Sequence, residues 1–325
     1  MIVRRPTSGR FEETLALLQA ADTAVWGASD WTAAELREDW SRLDLDRDAW
    51  LVELDGRLAG VAHLLDRKGG TFVADAYVHP ESTGRGVGSF LLALLEDRAR
   101  ERDDEWPVGE RICLQAAHVV GDERAPELFR SRGYELARSF FRMVADVSRR
   151  HPAPVWPPGI EVRPFDVEAH GRALHAAQEE AFAHEWGHVE RTYDEWHERA
   201  FVRPRIDPAL VTLAWEGDEL AGFALNYPKR MGDWGWIGQL GVREAWRRRG
   251  LGLALLHESF GRFHATGETT VALGVDTENP TGATRLYERA GMHVLWQADL
   301  WEKELRPGSR VVPAAGPERS ATIAG

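Results

Sequence analysis

The chain carries one pattern twice, and that duplication limits its fold more than any other feature. Val-His-Pro-Glu-Ser-Thr-Gly-Arg-Gly-Val-Gly-Ser-Phe-Leu-Leu from Val78 is answered by Val-Arg-Glu-Ala-Trp-Arg-Arg-Arg-Gly-Leu-Gly-Leu-Ala-Leu-Leu from Val242. Each copy reads as a strand end, a turn rich in Arg and Gly, and an apolar helix. Such a turn gathers backbone N–H groups around one concavity at the positive end of a helix dipole, which suits a phosphate. The match extends outward, from Val3-Arg4-Arg5-Pro6 against Val162-Arg163-Pro164 to Leu128-Phe129-Arg130-Ser131-Arg132-Gly133-Tyr134 against Leu286-Tyr287-Glu288-Arg289-Ala290-Gly291-Met292. The offset of about 160 residues is the size of a domain and far beyond a solenoid period.

Two homologous domains are therefore expected, at 1–148 and 160–306. Between them, 149–159 includes His151-Pro152-Ala153-Pro154-Val155-Trp156-Pro157-Pro158, which suits a stiff linker and no interior of a helix or sheet. The composition of 307–325 predicts a flexible tail. Within each half the pattern runs strand, helical region, hairpin, long strand, loop, helix, strand, helix, strand. That is an α/β layer with mixed strands.

With 325 residues, 43% of them hydrophobic, the chain can bury two cores. No stretch has the length of apolar sequence that spans a bilayer, and Met-Ile-Val-Arg-Arg runs into a predicted strand, so no membrane association and a cytoplasmic location are expected. The single cysteine, Cys113, excludes an internal disulfide and reads as a strand residue without a catalytic role. A net charge of −12 argues against nucleic acid as a partner. An acidic surround with a local basic pocket suits a small phosphorylated cofactor and a cationic second substrate.

The second loop reads Arg247-Arg248-Arg249-Gly250-Leu251-Gly252, an R-x-x-G-x-G. Gly250 and Gly252 are expected to let backbone approach a ligand where a Cβ would collide, with the arginines adding charge for a pyrophosphate and an outlying phosphate. Neither a Walker loop nor a dinucleotide G-x-G-x-x-G is present in this segment.

With Asn279-Pro280 and Leu286-Tyr287-Glu288-Arg289-Ala290-Gly291-Met292 at matching spacing, this segment resembles the Gcn5-related N-acetyltransferase (GNAT) family. The resemblance covers nearly the whole chain as a tandem pair. It implies, in each domain, a mixed, mostly antiparallel central sheet flanked by helices, with acetyl-CoA as co-substrate and no metal. Leu240, Gly241 and Val242 would pair with the pantetheine arm. Arg247, Arg248, Arg249, Gly250, Leu251 and Gly252 would cradle the pyrophosphate, Arg247 and Arg249 having better claims than Arg248. Asn279 would bond near the pantetheine or phosphate, and Tyr287 would protonate the departing thiolate. In the first half, Val78, Arg85, Gly86 and Gly88 keep the loop, but Thr83 stands for Arg247 and Phe129 for Tyr287. The first domain is thus expected to keep the fold without catalysing.

The general base is not fixed by the motif. Gln239 on the central strand could hold a water but cannot be a base, which leaves Asp276, Glu185 and His184 as candidates. His184-Glu185-Trp186-Gly187-His188 also fits H-E-x-x-H, the zinc hydrolase signature, with only Glu195, His197 and Glu198 as generic third ligands. Trp186, Tyr193, Trp196, Trp234 and Trp236, with carboxylates such as Glu185 and Glu190, could wall a site for a cationic amine, although hydrophobic core is the better expectation for most. The resemblance thus implies acetyl transfer to a primary amine of a small molecule, by direct attack, in the second domain. A non-catalytic acyl-CoA-binding protein is the alternative, and a zinc hydrolase a weaker one.

Overall fold

The computed structural model describes residues 1–308 apart from 30, 68–69, 184, 187, 189, 199–200, 202–206, 231–233 and 280, and the backbone alone at 229–230. In chain order the first repeat forms β1 (Ile2–Arg4), α1 (Phe11–Trp26), α2 (Ala33–Trp40), β2 (Ala49–Leu54), β3 (Arg57–Asp66), β4 (Thr71–Val78), α3 (Val87–Glu101), β5 (Ile112–Val119), α4 (Arg124–Ser131) and β6 (Glu135–Asp146). The second forms β7 (Ile160–Arg163), α5 (Val167–Phe182), α6 (Tyr193–His197), β8 (Thr212–Glu216), β9 (Glu219–Arg230), β10 (Trp234–Val242), α7 (Leu251–Thr266), β11 (Thr270–Asp276), α8 (Ala283–Arg289) and β12 (His293–Arg306). The residues between β6 and β7 have no helix or strand, as their prolines require.

Two compact units result, but they do not divide at the proline-rich segment. One comprises Met1–Phe140 and the chain from Trp296, and the other Phe141–Leu295. The sequence-based boundaries, 1–148 and 160–306, differ from this because each repeat's last strand is built into the other unit. Residues of β12 pair antiparallel with β5 from Ala298↔Val119 to Arg306↔Ile112, and Trp301 joins the core of β2 to β5, α3 and α4. Met143 and Ala145 of β6 join the core of α7, β10 and β11. An internal match of sequence reports ancestry; which sheet a terminal strand completes depends on long-range pairing that periodicity does not record. The tail from 309 lies outside the described residues.

In the first unit the strand order is β1-β2-β3-β4-β5-β12, and in the second β6-β11-β10-β9-β8-β7. Neighbours from β1 to β4 and from β7 to β10 are antiparallel, whereas β4–β5 and β10–β11 are parallel. Each unit is thus a mixed, mostly antiparallel sheet with helices packed on it. In the second unit Leu256, Phe260 and Phe263 of α7 are buried against the sheet, as their helical spacing predicts, while Leu253 of the same expected stripe is half-buried and Leu255 is buried in its stead.

Both parallel pairs splay. β4 and β5 stay in register from Thr71↔Cys113 to Ala74↔Ala116, and β10 and β11 only at Gly235↔Val271 and Trp236↔Ala272. Beyond Trp236, β10 pairs with β9 alone, so the edge turned to β11 carries backbone groups with no strand partner. A register shift between Ile237 and Gln239 marks a bulge at Gly238, where a Cβ would lie 2.2 Å from the Tyr227 ring.

Candidate active site

The loop after β10 turns through two left-handed residues, Arg248 at φ 61° and Gly250 at φ 90°. The first-repeat loop follows the same path through Gly84 (φ 74°) and Gly86 (φ 79°). Gly250 is the N-cap of α7, and none of the N–H groups of residues 248–253 donates to a described residue. These donors and the α7 dipole form an anion cradle next to the open edge of β10, a fit for a phosphorylated arm that lies along that edge.

Within the protein, the glycines and arginines have distinct surroundings. A Cβ on Gly250 would meet no protein atom within 4 Å, and its φ of 90° is what the turn asks of glycine. At Gly252 a Cβ would lie 2.9 Å from Leu286 Cδ2, so this glycine also lets α7 and α8 approach each other. Arg247 is turned inward: Nε donates to the Val242 carbonyl (3.1 Å) and Nη2 to that of Ala181 (3.3 Å). Arg249 pairs with Glu216 at 3.1 Å, while Arg248 is exposed and has no described partner. The guanidinium with no described partner therefore belongs to Arg248, which sequence ranked last. Its backbone is left-handed, a conformation that glycine takes at the matching position, Gly84.

Leu240, Gly241 and Val242 pair with Ala224, Phe223 and Gly222 of β9, which holds the open edge rigidly. Gly241 is required there, since a Cβ would meet the Phe223 ring at 2.6 Å. Gln239 stands opposite Leu225.

Three sequence-predicted residues from two distant segments converge. Asn279 Nδ2 donates to Glu185 Oε1 at 3.1 Å, and the negative charge of Glu185 acts on the Tyr287 hydroxyl. Glu185 is set by tight turns after α5, its N–H donating to the Phe182 carbonyl and its own carbonyl accepting from the His188 N–H. Burial raises the Glu185 carboxyl above the ordinary glutamate range; the Asn279 bond opposes this, Asp276 adds to it, and Arg247 opposes it more weakly. Tyr287 packs against the core of α7 and β11. Desolvation first, and Glu185 second, raise its hydroxyl well above the usual tyrosine range, so it holds its proton at neutral pH. The group is thus a carboxyl poised to accept a proton beside a hydroxyl able to donate one. Gln239 is not among the groups acting on either.

Sequence reasoning missed Thr281, whose N–H and hydroxyl both bond Asn279 Oδ1, and the Val242 and Ala181 carbonyls that hold Arg247. An Asn two residues before a Thr is a readable turn signal. A side chain donating to remote carbonyls leaves no such trace.

The zinc reading loses its helix. α5 ends at Phe182, the described residues from 185 to 188 are not helical, and His188 Nε2 meets Glu179 Oε2 at 2.9 Å. The motif requires two imidazoles one turn apart on a helix face, and the described residues of this segment form no helix. His184 lies outside the described residues. Of the aromatic surplus, Trp196 is buried and donates to Gln178 Oε1 at 2.6 Å, and Trp236 lies under the Arg142 guanidinium at 4.3 Å. Both serve packing.

In the first unit the corresponding place is filled. Phe129 is fully buried and stacks on Trp301, ring centroids 5.6 Å apart, with Tyr134 at 5.4 Å. Val78 is buried in the same core, Gly88 packs near Leu128, and Arg85 pairs with Asp55 at 2.6 Å. Gly86 keeps the turn. Burial, with Glu302 nearby, pushes the Cys113 thiol up to about 12, which leaves no thiolate at neutral pH.

A splayed parallel pair with a glycine-turned helix N-terminus at its mouth, present here in duplicate, and in the second unit a tyrosine on the following helix, define an acyl-CoA-dependent acyltransferase. The chain belongs to the acetyltransferase (GNAT) family, whose model matches residues 11–134 and 172–292, and it is an N-acetyltransferase of tandem plan. A mycothiol acetyltransferase of Geodermatophilus obscurus is 33% identical over 85% of this chain and 89% of its own, and one of Thermobispora bispora 32% identical over 91% and 96%. Among solved structures, a GCN5-related N-acetyltransferase from Sphaerobacter thermophilus superposes with TM-score 0.87 at 35% identity, over 96% of this chain and 98% of that one. A tandem GNAT protein from the clavulanic acid biosynthesis pathway shares the fold, with TM-score 0.73 at 17% identity over 95% and 99%. No helix among the described residues is long and apolar enough to cross a membrane.

Proposed function

We propose that the second unit transfers the acetyl group of acetyl-CoA directly to a primary amine of a small molecule, with Glu185 as general base and Tyr287 as general acid. The convergence of Glu185, Asn279 and Tyr287 beside the α7 cradle carries this reading. The open edge of β10 at Leu240 to Val242 would hold the pantetheine arm, and the N–H groups of 248–253 with Arg248 would hold its phosphates. Glu185 takes a proton from the acceptor ammonium, the freed nitrogen attacks the thioester carbon, and the C–S bond breaks as Tyr287 gives its proton to sulfur. The second amine proton returns to the tyrosinate, so amine and acetyl-CoA yield amide and CoA thiol. On this reading the first unit keeps the fold without catalysing, and the enzyme acts in the cytoplasm.

Similarity to mycothiol acetyltransferases, and to mycothiol synthase in domain plan, makes deacetylated mycothiol the first acceptor to test. Mass detection of acetylated product, with cysteine, glucosamine and a polyamine in the same panel, is preferred to thiol release because a thiol acceptor masks it. Acetylation of one panel member that E185Q lowers about 100-fold is expected. In the native enzyme kcat/KM falls as pH drops through the raised Glu185 pKa, because protonation removes the base. An E185Q variant with wild-type turnover and an unchanged acidic limb refutes this assignment of the base.

A further inference from the structure

Asn279 is held from both ends. Its Oδ1 accepts from the Thr281 N–H at 2.9 Å and from Thr281 Oγ1 at 2.5 Å, and its own N–H donates to the Asp276 carbonyl at 3.1 Å. A backbone N–H can only donate, so the atom facing Thr281 is the amide oxygen, and the NH2 group must point the other way. There it meets Glu185 Oε1 at 3.1 Å, across 94 residues of sequence.

We propose that Asn279 is a positioning residue for the general base: it holds the Glu185 carboxylate by Oε1 and leaves Oε2 for the acceptor amine. The proposal rests on the reading of Glu185 as base and departs from the expectation that Asn279 grips CoA. One segment then sets both partners of the proton transfer. The turn from Asp276 to Gly282 carries Asn279, and α8, which follows directly, carries Tyr287. The Asn279 amide and the Tyr287 hydroxyl are thereby set by one short local structure, although Glu185 itself lies just after the C-terminal end of α5.

The amide also decides when Glu185 ionises. The charged and titratable groups that act on Glu185 are Asp276, which opposes its ionisation, and Arg247, which favours it; Tyr287 is the neutral hydroxyl beside it. An N–H donor favours the carboxylate and offsets Asp276 and burial. Asn279→Ala removes that donor. Asn279→Asp keeps an oxygen for the Thr281 N–H in an isosteric frame but turns a third carboxylate on Glu185.

The experiment uses the full chain. The Glu185 carboxyl is titrated by 13C NMR on glutamate-labelled protein, its resonance identified by loss in E185Q, in wild type, N279A and N279D. The acidic limb of kcat/KM is recorded for acetyl-CoA with the best acceptor of the amine panel, and CoA affinity by calorimetry. The Glu185 midpoint is expected to rise by about one pH unit in N279D and by less in N279A, with the acidic limb moving alongside. CoA affinity stays within about twofold, since no phosphate donor is lost. An unmoved midpoint overturns the proposal, and a tenfold loss of CoA affinity beside it assigns Asn279 to the cofactor. A midpoint that moves while the limb stays shows that the hydrogen bond is real and that Glu185 is not the base, which ends the positioning role together with the reading beneath it.

Discussion

The two copies share a loop and differ in the slot behind it. Both turns pass through two left-handed residues into an apolar helix, and both lead away from a splayed parallel pair. On the helix after the second parallel strand the first unit places Phe129, sealed between Trp301 and Tyr134, and the second unit places Tyr287, desolvated and beside Glu185. The backbone that can receive a phosphorylated arm survives duplication because packing alone preserves it. At the position of Tyr287 the first copy has a core phenylalanine, a replacement that the fold accommodates.

The largest effect that would test this contrast is on stability. Trp301 lies in the second repeat's sequence, yet its buried ring stacks in the first unit. Trp301→Ala should cost about 3–5 kcal/mol in denaturant unfolding, while kcat/KM under native conditions stays within about twofold. A loss of acetyl transfer larger than the loss of folded protein would mean that the first unit's slot takes part in catalysis.

Next comes the exchange of the two aromatic residues. Tyr287→Phe should lower kcat about 100-fold or more with little change in CoA affinity and no loss of thermal stability, because burial and the charge of Glu185 act on the hydroxyl and no hydrogen bond to a described residue does. Phe129→Tyr should do the reverse: it buries a hydroxyl in a filled aromatic core, costs about 1–3 kcal/mol, and leaves turnover unchanged. Equal kinetic penalties for both variants would erase the distinction between the units.

Much of this was legible in the sequence because the signals are local. The α7 stripe, the Gly250 turn and the proline-rich connector each reside within a few residues, and the family motif singled out Asn279 and Tyr287. Glu185 was legible only as one of three candidate bases, since nothing near it in sequence records Asn279. The exchange of β6 and β12 was not legible, because Trp301 and Met143 carry the same apolar pattern whichever sheet they complete. Nor was the division of labour among Arg247, Arg248 and Arg249: adjacent arginines look alike until Val242, Ala181 and Glu216 claim two of them.

That division gives the smallest and most discriminating prediction, set between Gly84 and Arg248. At Gly84 (φ 74°) a Cβ would touch nothing, so Gly84→Ala introduces left-handed strain alone and should cost about 1 kcal/mol with no change in acetyl transfer. Arg248→Gly runs the other way. It relieves an arginine at φ 61°, but glycine's greater freedom in the unfolded chain offsets the relief, so stability should change by less than about 1 kcal/mol. What should change is ligand binding: CoA affinity should fall severalfold and depend less steeply on salt, because the freest charge at the cradle is gone. The chain tolerates left-handed strain at the second loop and avoids it at the first, and binding measured across ionic strength tells whether the anion is the reason. If R248G binds CoA as the wild type does at every salt concentration, Arg248 is an ordinary surface residue, and the two loops differ in strain alone.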